Sequence, residues 1–103
     1  MTGNGRDDID VLYDYRVEHP NGAIEEVFIA RVPATEVYPE GLSYRMNYTR
    51  PNTDEPLVRF DNGHKHGEHH KHTPNGRETV EFEGIEPLMK SFQTTIDDYE
   101  RTH

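Results

Sequence analysis

The tripeptide Pro-Asn-Gly occurs twice in this chain, at Pro20-Asn21-Gly22 and at Pro74-Asn75-Gly76, and residues of alternating polarity follow each copy. Proline presets its own φ and glycine accepts φ above zero, so both tripeptides read as hairpin turns. Strands must run into and out of them. Before the first turn, Val11, Tyr13, Tyr15 and Val17 alternate with Leu12, Asp14 and Arg16, as a half-buried strand over residues 9–18 requires. After it, residues 23–32 resume the pattern: Ile24, Phe28, Ala30 and Val32 form the expected buried row. Glu25, Glu26 and Arg31 need water or partners, and Val27 and Ile29 fall on the other side, as in a strand covered on both faces.

Residues 33–41 contain two prolines and read as a crossing loop. Leu42, Tyr44, Met46 and Tyr48 then alternate with Ser43, Arg45, Asn47 and Thr49, which predicts a third strand over residues 42–49. A turn over residues 50–56 leads to a fourth strand at residues 57–60, and Thr79, Val80 and Phe82 suggest a short fifth at residues 77–82. The last segment changes period. Ile85, Leu88, Met89, Phe92, Ile96 and Tyr99 make one helical stripe, with Gly84 at its entry and Pro87 in the first turn, where a missing amide hydrogen costs least. The predicted fold is α+β: an antiparallel sheet of four to five strands in two hairpins, with one C-terminal amphipathic helix packed on one face. Residues 1–8 read as a flexible leader and residues 9–103 as a single domain.

Hydrophobic residues make up 31% of the chain and the formal charge is -9, a composition that would favour disorder if the apolar residues were scattered. Their clean periods argue for a folded domain instead. Asp and Glu number 20 against 11 Lys and Arg, which excludes a broad basic face of the kind that wraps nucleic acid and would suit a salt-adapted, halophilic source. The chain has no cysteine, and neither a signal peptide nor a long apolar run is visible, so a cytoplasmic protein with no membrane association is expected.

One stretch carries the chemistry. Residues 59–72 read RFDNGHKHGEHHKH and hold five of the seven histidines, interleaved with other residues and internal to the chain, unlike an expression tag. Imidazole titrates near neutrality and binds transition metals, so the cluster points to proton transfer, metal ligation or pH sensing. Alternate residues of an extended backbone share a side, which pairs His64 with His66 and His70 with His72. Arg59 can bind an anionic oxygen and Asp61 can orient an imidazole.

The first functional reading is metal-independent cleavage of RNA. His64 and His66 are the acid and base candidates, in an order that spacing does not fix, and Arg59 and Asp61 complete the catalytic set. Asn62, Lys65, His69, His70, Lys71, His72 and Arg16 are supporting or substrate-binding candidates. No cofactor is required in that reading. The alternative is a metal-binding or sensing module without catalysis, holding zinc or another divalent transition metal through His64, His66, His70 and His72, although the spacing matches no ordinary structural zinc pattern.

The order of VLYDYRVEHPNGAIEEVFIARVP, GLSYRMNY, LVRFDNGHKHGEHHKH and FEGIEPLMKSF resembles the TumE family of small toxins from prokaryotic toxin-antitoxin modules, over about residues 11–99. The most specific portion is Arg59-Phe60-Asp61-Asn62 with His64, His66 and the His69 to His72 group, together with Asp14-Tyr15-Arg16. The resemblance implies a toxin neutralised by a neighbouring antitoxin, typically one with a helix-turn-helix DNA-binding domain. RNA would be the substrate, and homo-oligomerisation is left open.

Overall fold

A computed structural model of the chain describes residues 9–63 and 67–102; the leader at residues 1–8 lies outside them. Six strands and a helix follow in order: β1 (Asp10–Glu18), β2 (Ile24–Arg31), β3 (Leu42–Thr49), β4 (Pro56–Asp61), β5 (His70–Thr73), β6 (Gly76–Thr79) and α1 (Ile85–Thr102). Each strand pairs antiparallel with the next, so the sheet is a meander.

The sheet therefore has six strands rather than four to five. The added strand is β5, His-Lys-His-Thr, cut from the histidine run itself. Little in its residue types favours a strand; it forms because β4 offers a row of backbone groups that need partners. With β5 in place, β6 pairs with it and ends at Thr79, short of Phe82. Residues 33–41 are also not a crossing, since β2 and β3 are hydrogen-bonded neighbours and this loop closes their hairpin.

One face of the sheet is covered by α1 and the other is open. The covered face carries Val27 and Ile29 from β2, Tyr44, Met46 and Tyr48 from β3, and Val58 and Phe60 from β4, all buried. Leu88, Phe92 and Ile96 of α1 close over them, with the Phe60 and Phe92 rings edge to face at 5.4 Å. Burying each such side chain contributes about 1.5–3 kcal/mol before entropy is subtracted. In β2 this reverses the phase read from sequence: Val27 and Ile29 are inside, and Phe28 is 40% exposed on the open face. Both phases of that strand are apolar, and the register that sets Val27 opposite Met46 decides between them. Strand β1 forms one edge, so Val11, Tyr13 and Val17 are exposed, while Leu12, at an irregularity in the pairing, and Tyr15 pack on the core.

Glu25, which needs water or partners, has partners: it is buried on the covered face and accepts hydrogen bonds from the Tyr15 hydroxyl at 2.9 Å and from the Gln93 side chain of α1. His19 bridges the same carboxylate to the helix, with Nε2 at 2.9 Å from Glu25 Oε1 and Nδ1 at 2.9 Å from Glu100 Oε2. The Tyr48 hydroxyl donates to Glu100 at 2.6 Å. The first hairpin is thereby fastened to the last turns of the helix. Among the described residues no helix is long and apolar enough to cross a membrane.

Candidate functional site

Because the strands form a simple meander, the open face is built from two neighbouring cross-strand rows. The first runs Asp14, Phe28, Arg45, Asp61, His70 and Thr79 from β1 to β6; the second runs Arg16, Glu26, Asn47, Arg59, His72 and Arg77. Side chains directly opposite on one face are neighbours, so each row is a continuous line of contacts. Four arginines stand on this face, out of the nine lysines and arginines left when Arg6 and Lys65 are set aside from 11. Against Asp14, Glu26 and Asp61 they leave a net charge of +1 with both imidazoles neutral, in a chain of formal charge -9.

A groove of about 900 Å³ follows the rows from β1 to β4, lined among others by Arg16, Phe28, Tyr38, Arg45, Asn47 and Arg59. Arg59 Nε lies 3.0 Å from Asp61 Oδ2, an ion pair whose angle is too bent for a hydrogen bond from that nitrogen. Arg16 Nε is 3.9 Å from Glu26, a loose and exposed pair. Arg45 is exposed and has no ion-pair partner among the described residues.

At the β5 end, His70 is buried. Its Nε2 is 3.2 Å from Glu68 Oε1, and Arg77 Nη2 approaches Nδ1 at 3.2 Å. Arg77 Nη2 also lies 3.1 Å from Nε2, so the guanidinium sits against both ring nitrogens. The half-buried His72 stands edge-on to His70 with ring centroids 6.4 Å apart, and its cross-strand neighbours are Arg59 and Arg77.

Of the other residues singled out from sequence, Asn62 lines the groove, whereas His69 and Lys71 lie elsewhere. His69 is on the covered side, stacked on Phe82 at 4.7 Å, with Nδ1 3.0 Å from the Tyr44 hydroxyl and Nε2 3.1 Å from Glu40 Oε1. Burial, with Asp61 and Glu40 nearby, raises the Tyr44 hydroxyl well above the usual tyrosine range. Lys71 also points away from the groove, its ammonium 5.8 Å from the Phe60 ring centroid. Asn62 serves the backbone: it accepts from the Tyr44 N–H at 2.9 Å and donates to the Leu42 carbonyl at 2.7 Å, pinning the end of β4 to the start of β3.

His64, Lys65 and His66 lie outside the described residues. The glycines on either side of them are held tightly. Gly63 has φ +95 and Gly67 has φ +70; a Cβ on Gly63 would lie 3.0 Å from the Tyr38 hydroxyl, and one on Gly67 would lie 2.4 Å from Pro39 Cδ. Tyr38 itself lines the groove, so Gly63 lies beside the groove. Among the described residues no group of three or more His, Asp or Glu side chains is placed to hold a metal ion.

Sequence reasoning missed Arg45, Phe28 and Arg77 as members of one face. The signal was present in part: Arg45 and Asn47 share a phase in β3, as Arg59 and Asp61 do in β4, and pairing those strands in register unites them.

The family model described as Toxin TumE matches residues 6–100. The chain belongs to the TumE toxin family. No curated protein and no solved structure matches it. For a TumE toxin, an antitoxin partner is implied in general terms by the family itself. In this TumE family member all three groove-lining arginines, Arg16, Arg45 and Arg59, stand with His70 and His72 in the rows of the sheet face that the helix leaves open.

Proposed function

We propose that this TumE toxin is a metal-independent ribonuclease that binds RNA phosphodiesters on the open sheet face. The observation that carries the reading is the gathering of Arg16, Arg45, Arg59 and Arg77 with His70 and His72 in two adjacent rows of an otherwise strongly acidic chain. Guanidinium groups bind phosphate oxygens through paired N–H donors and stabilise charge that develops on them.

In the reaction, one histidine removes the proton of a 2′-hydroxyl, whose oxygen attacks the adjacent phosphorus. The bond to the 5′-oxygen breaks as a second histidine protonates that oxygen, leaving a 2′,3′-cyclic phosphate and a free 5′-hydroxyl. His64 and His66 take these roles, Arg59 binds the phosphate, and Asp61 holds Arg59 and orients the imidazole that reaches it. His72, in the cross-strand row between Arg59 and Arg77, supports binding. A cognate antitoxin with a helix-turn-helix DNA-binding domain neutralises the toxin.

The test is cleavage of RNA by purified protein in the presence of EDTA, with His64→Ala, His66→Ala and Arg59→Ala variants. Cleavage that survives chelation and falls by at least about 10²-fold in each histidine variant supports the reading. Full activity in both histidine variants contradicts those roles.

A further inference from the structure

We propose that Phe28 is a stacking platform for an unpaired base, which makes the open face a subsite for single-stranded RNA. The inference rests on the reading of this face as an RNA surface and adds the class of substrate it takes.

A singly exposed aromatic residue is ordinary and by itself carries nothing. The setting of Phe28 is what matters. It is 40% exposed on β2, inside the strand order rather than at the rim, and it lines the groove. Its row neighbours are Asp14 on one side and, on the other, Arg45, which is exposed and has no ion-pair partner among the described residues. Asp61 and His70 continue that row, and Arg59 on β4 and His72 on β5 stand in the row beside it. An apolar ring beside cations along a shallow groove is the combination that binds a single strand, because every base has a π-face and every linkage a negative charge. A double helix hides those faces in its own stack and cannot use the ring.

Strand spacing sets the direction. Three steps of about 4.8 Å separate β2 from β5, so a base on Phe28 would sit about 14 Å from the histidines of β5. Arg45 and Arg59 fall between, where the linking phosphates would pass. The strand therefore crosses the sheet from β2 toward β5.

The test uses a labelled 2′-O-methyl oligonucleotide, which has no nucleophilic hydroxyl and cannot be cleaved, alone and annealed to its complement. Affinities are measured at fixed salt for the wild type and for Phe28→Ala, Phe28→Trp and Arg45→Ala, each first checked for an unchanged melting temperature. The wild type is expected to prefer the single strand. Phe28→Ala should weaken single-strand binding roughly 5- to 150-fold, while Phe28→Trp keeps it. Arg45→Ala should weaken binding and lower the salt slope by about 1. Single-strand binding unchanged in Phe28→Ala overturns the proposal, above all if the same variant weakens the antitoxin complex, since the ring would then serve a protein partner. Binding that depends on Phe28 without cleavage of ordinary RNA supports the subsite and removes the ribonuclease reading; cleavage with no dependence on Phe28 does the reverse. A wild type that neither binds nor cleaves overturns both.

Discussion

His19 Nδ1 lies 2.9 Å from Glu100 Oε2, joining the turn between the first two strands to the final turns of the C-terminal helix. The other ring nitrogen meets Glu25, whose carboxylate also holds Tyr15 and Gln93, so a histidine outside the clustered run ties three parts of the fold together.

Removing that ring has a defined cost. His19→Ala leaves the buried Glu25 with fewer donors and is expected to destabilise the protein by about 2 kcal/mol, a fall of roughly 10 °C in melting temperature. Thermal unfolding followed by circular dichroism checks it, and Glu100→Gln, which keeps an acceptor for Tyr48, should cost less.

The same network predicts an alkaline transition. Burial and hydrogen bonding to Glu25 push the Tyr15 hydroxyl up to about 12, and burial with the bond to Glu100 does the same for Tyr48. A tyrosine raised above its unfolded value of about 10 favours folding fully below that pH and loses its contribution as pH rises through the folded value. Stability should therefore hold up to about pH 10 and decline between about pH 10 and 12, with tyrosinate absorbance of both residues delayed until unfolding begins. A stability that falls at acidic pH while holding above pH 12 would contradict this assignment.

Strand β3 and the helix stripe were legible because each shows one clean period: Leu42, Tyr44, Met46 and Tyr48 are buried as their alternation requires, and so are Leu88, Phe92 and Ile96. Strand β2 was ambiguous because it is apolar in both phases, and only its neighbour's register puts Phe28 outside. Strand β5 was invisible for a different reason. His70-Lys71-His72-Thr73 has little strand propensity and is held by pairing with β4, a long-range relation that a local pattern does not contain. The site was legible as a residue cluster but not as a face, since that face depends on β5 being a strand.

The glycines flanking His64 and His66 offer a further test. In Gly67→Ala the new methyl would meet the Pro39 ring at 2.4 Å in a backbone conformation that L side chains rarely adopt. A loss of about 2–4 kcal/mol is expected. Gly63→Ala meets the movable end of the Tyr38 side chain at 3.0 Å and should lose less. Urea denaturation of the two variants gives the order directly.

Charge reversal separates the two sides of the sheet. Arg45 is exposed on the open face without an ion-pair partner among the described residues, whereas Arg50 pairs with Glu55 at 3.3 Å outside that face. Neither substitution by glutamate should change the melting temperature by more than about 3 °C, as both are surface changes.

The rate of RNA cleavage by purified Arg45→Glu protein, measured beside Arg50→Glu and the wild type at one salt concentration, tests most directly whether the open face is where this toxin acts. A rate at least about tenfold lower in Arg45→Glu, with Arg50→Glu near the wild type, is the predicted result. Equal rates in all three would contradict it.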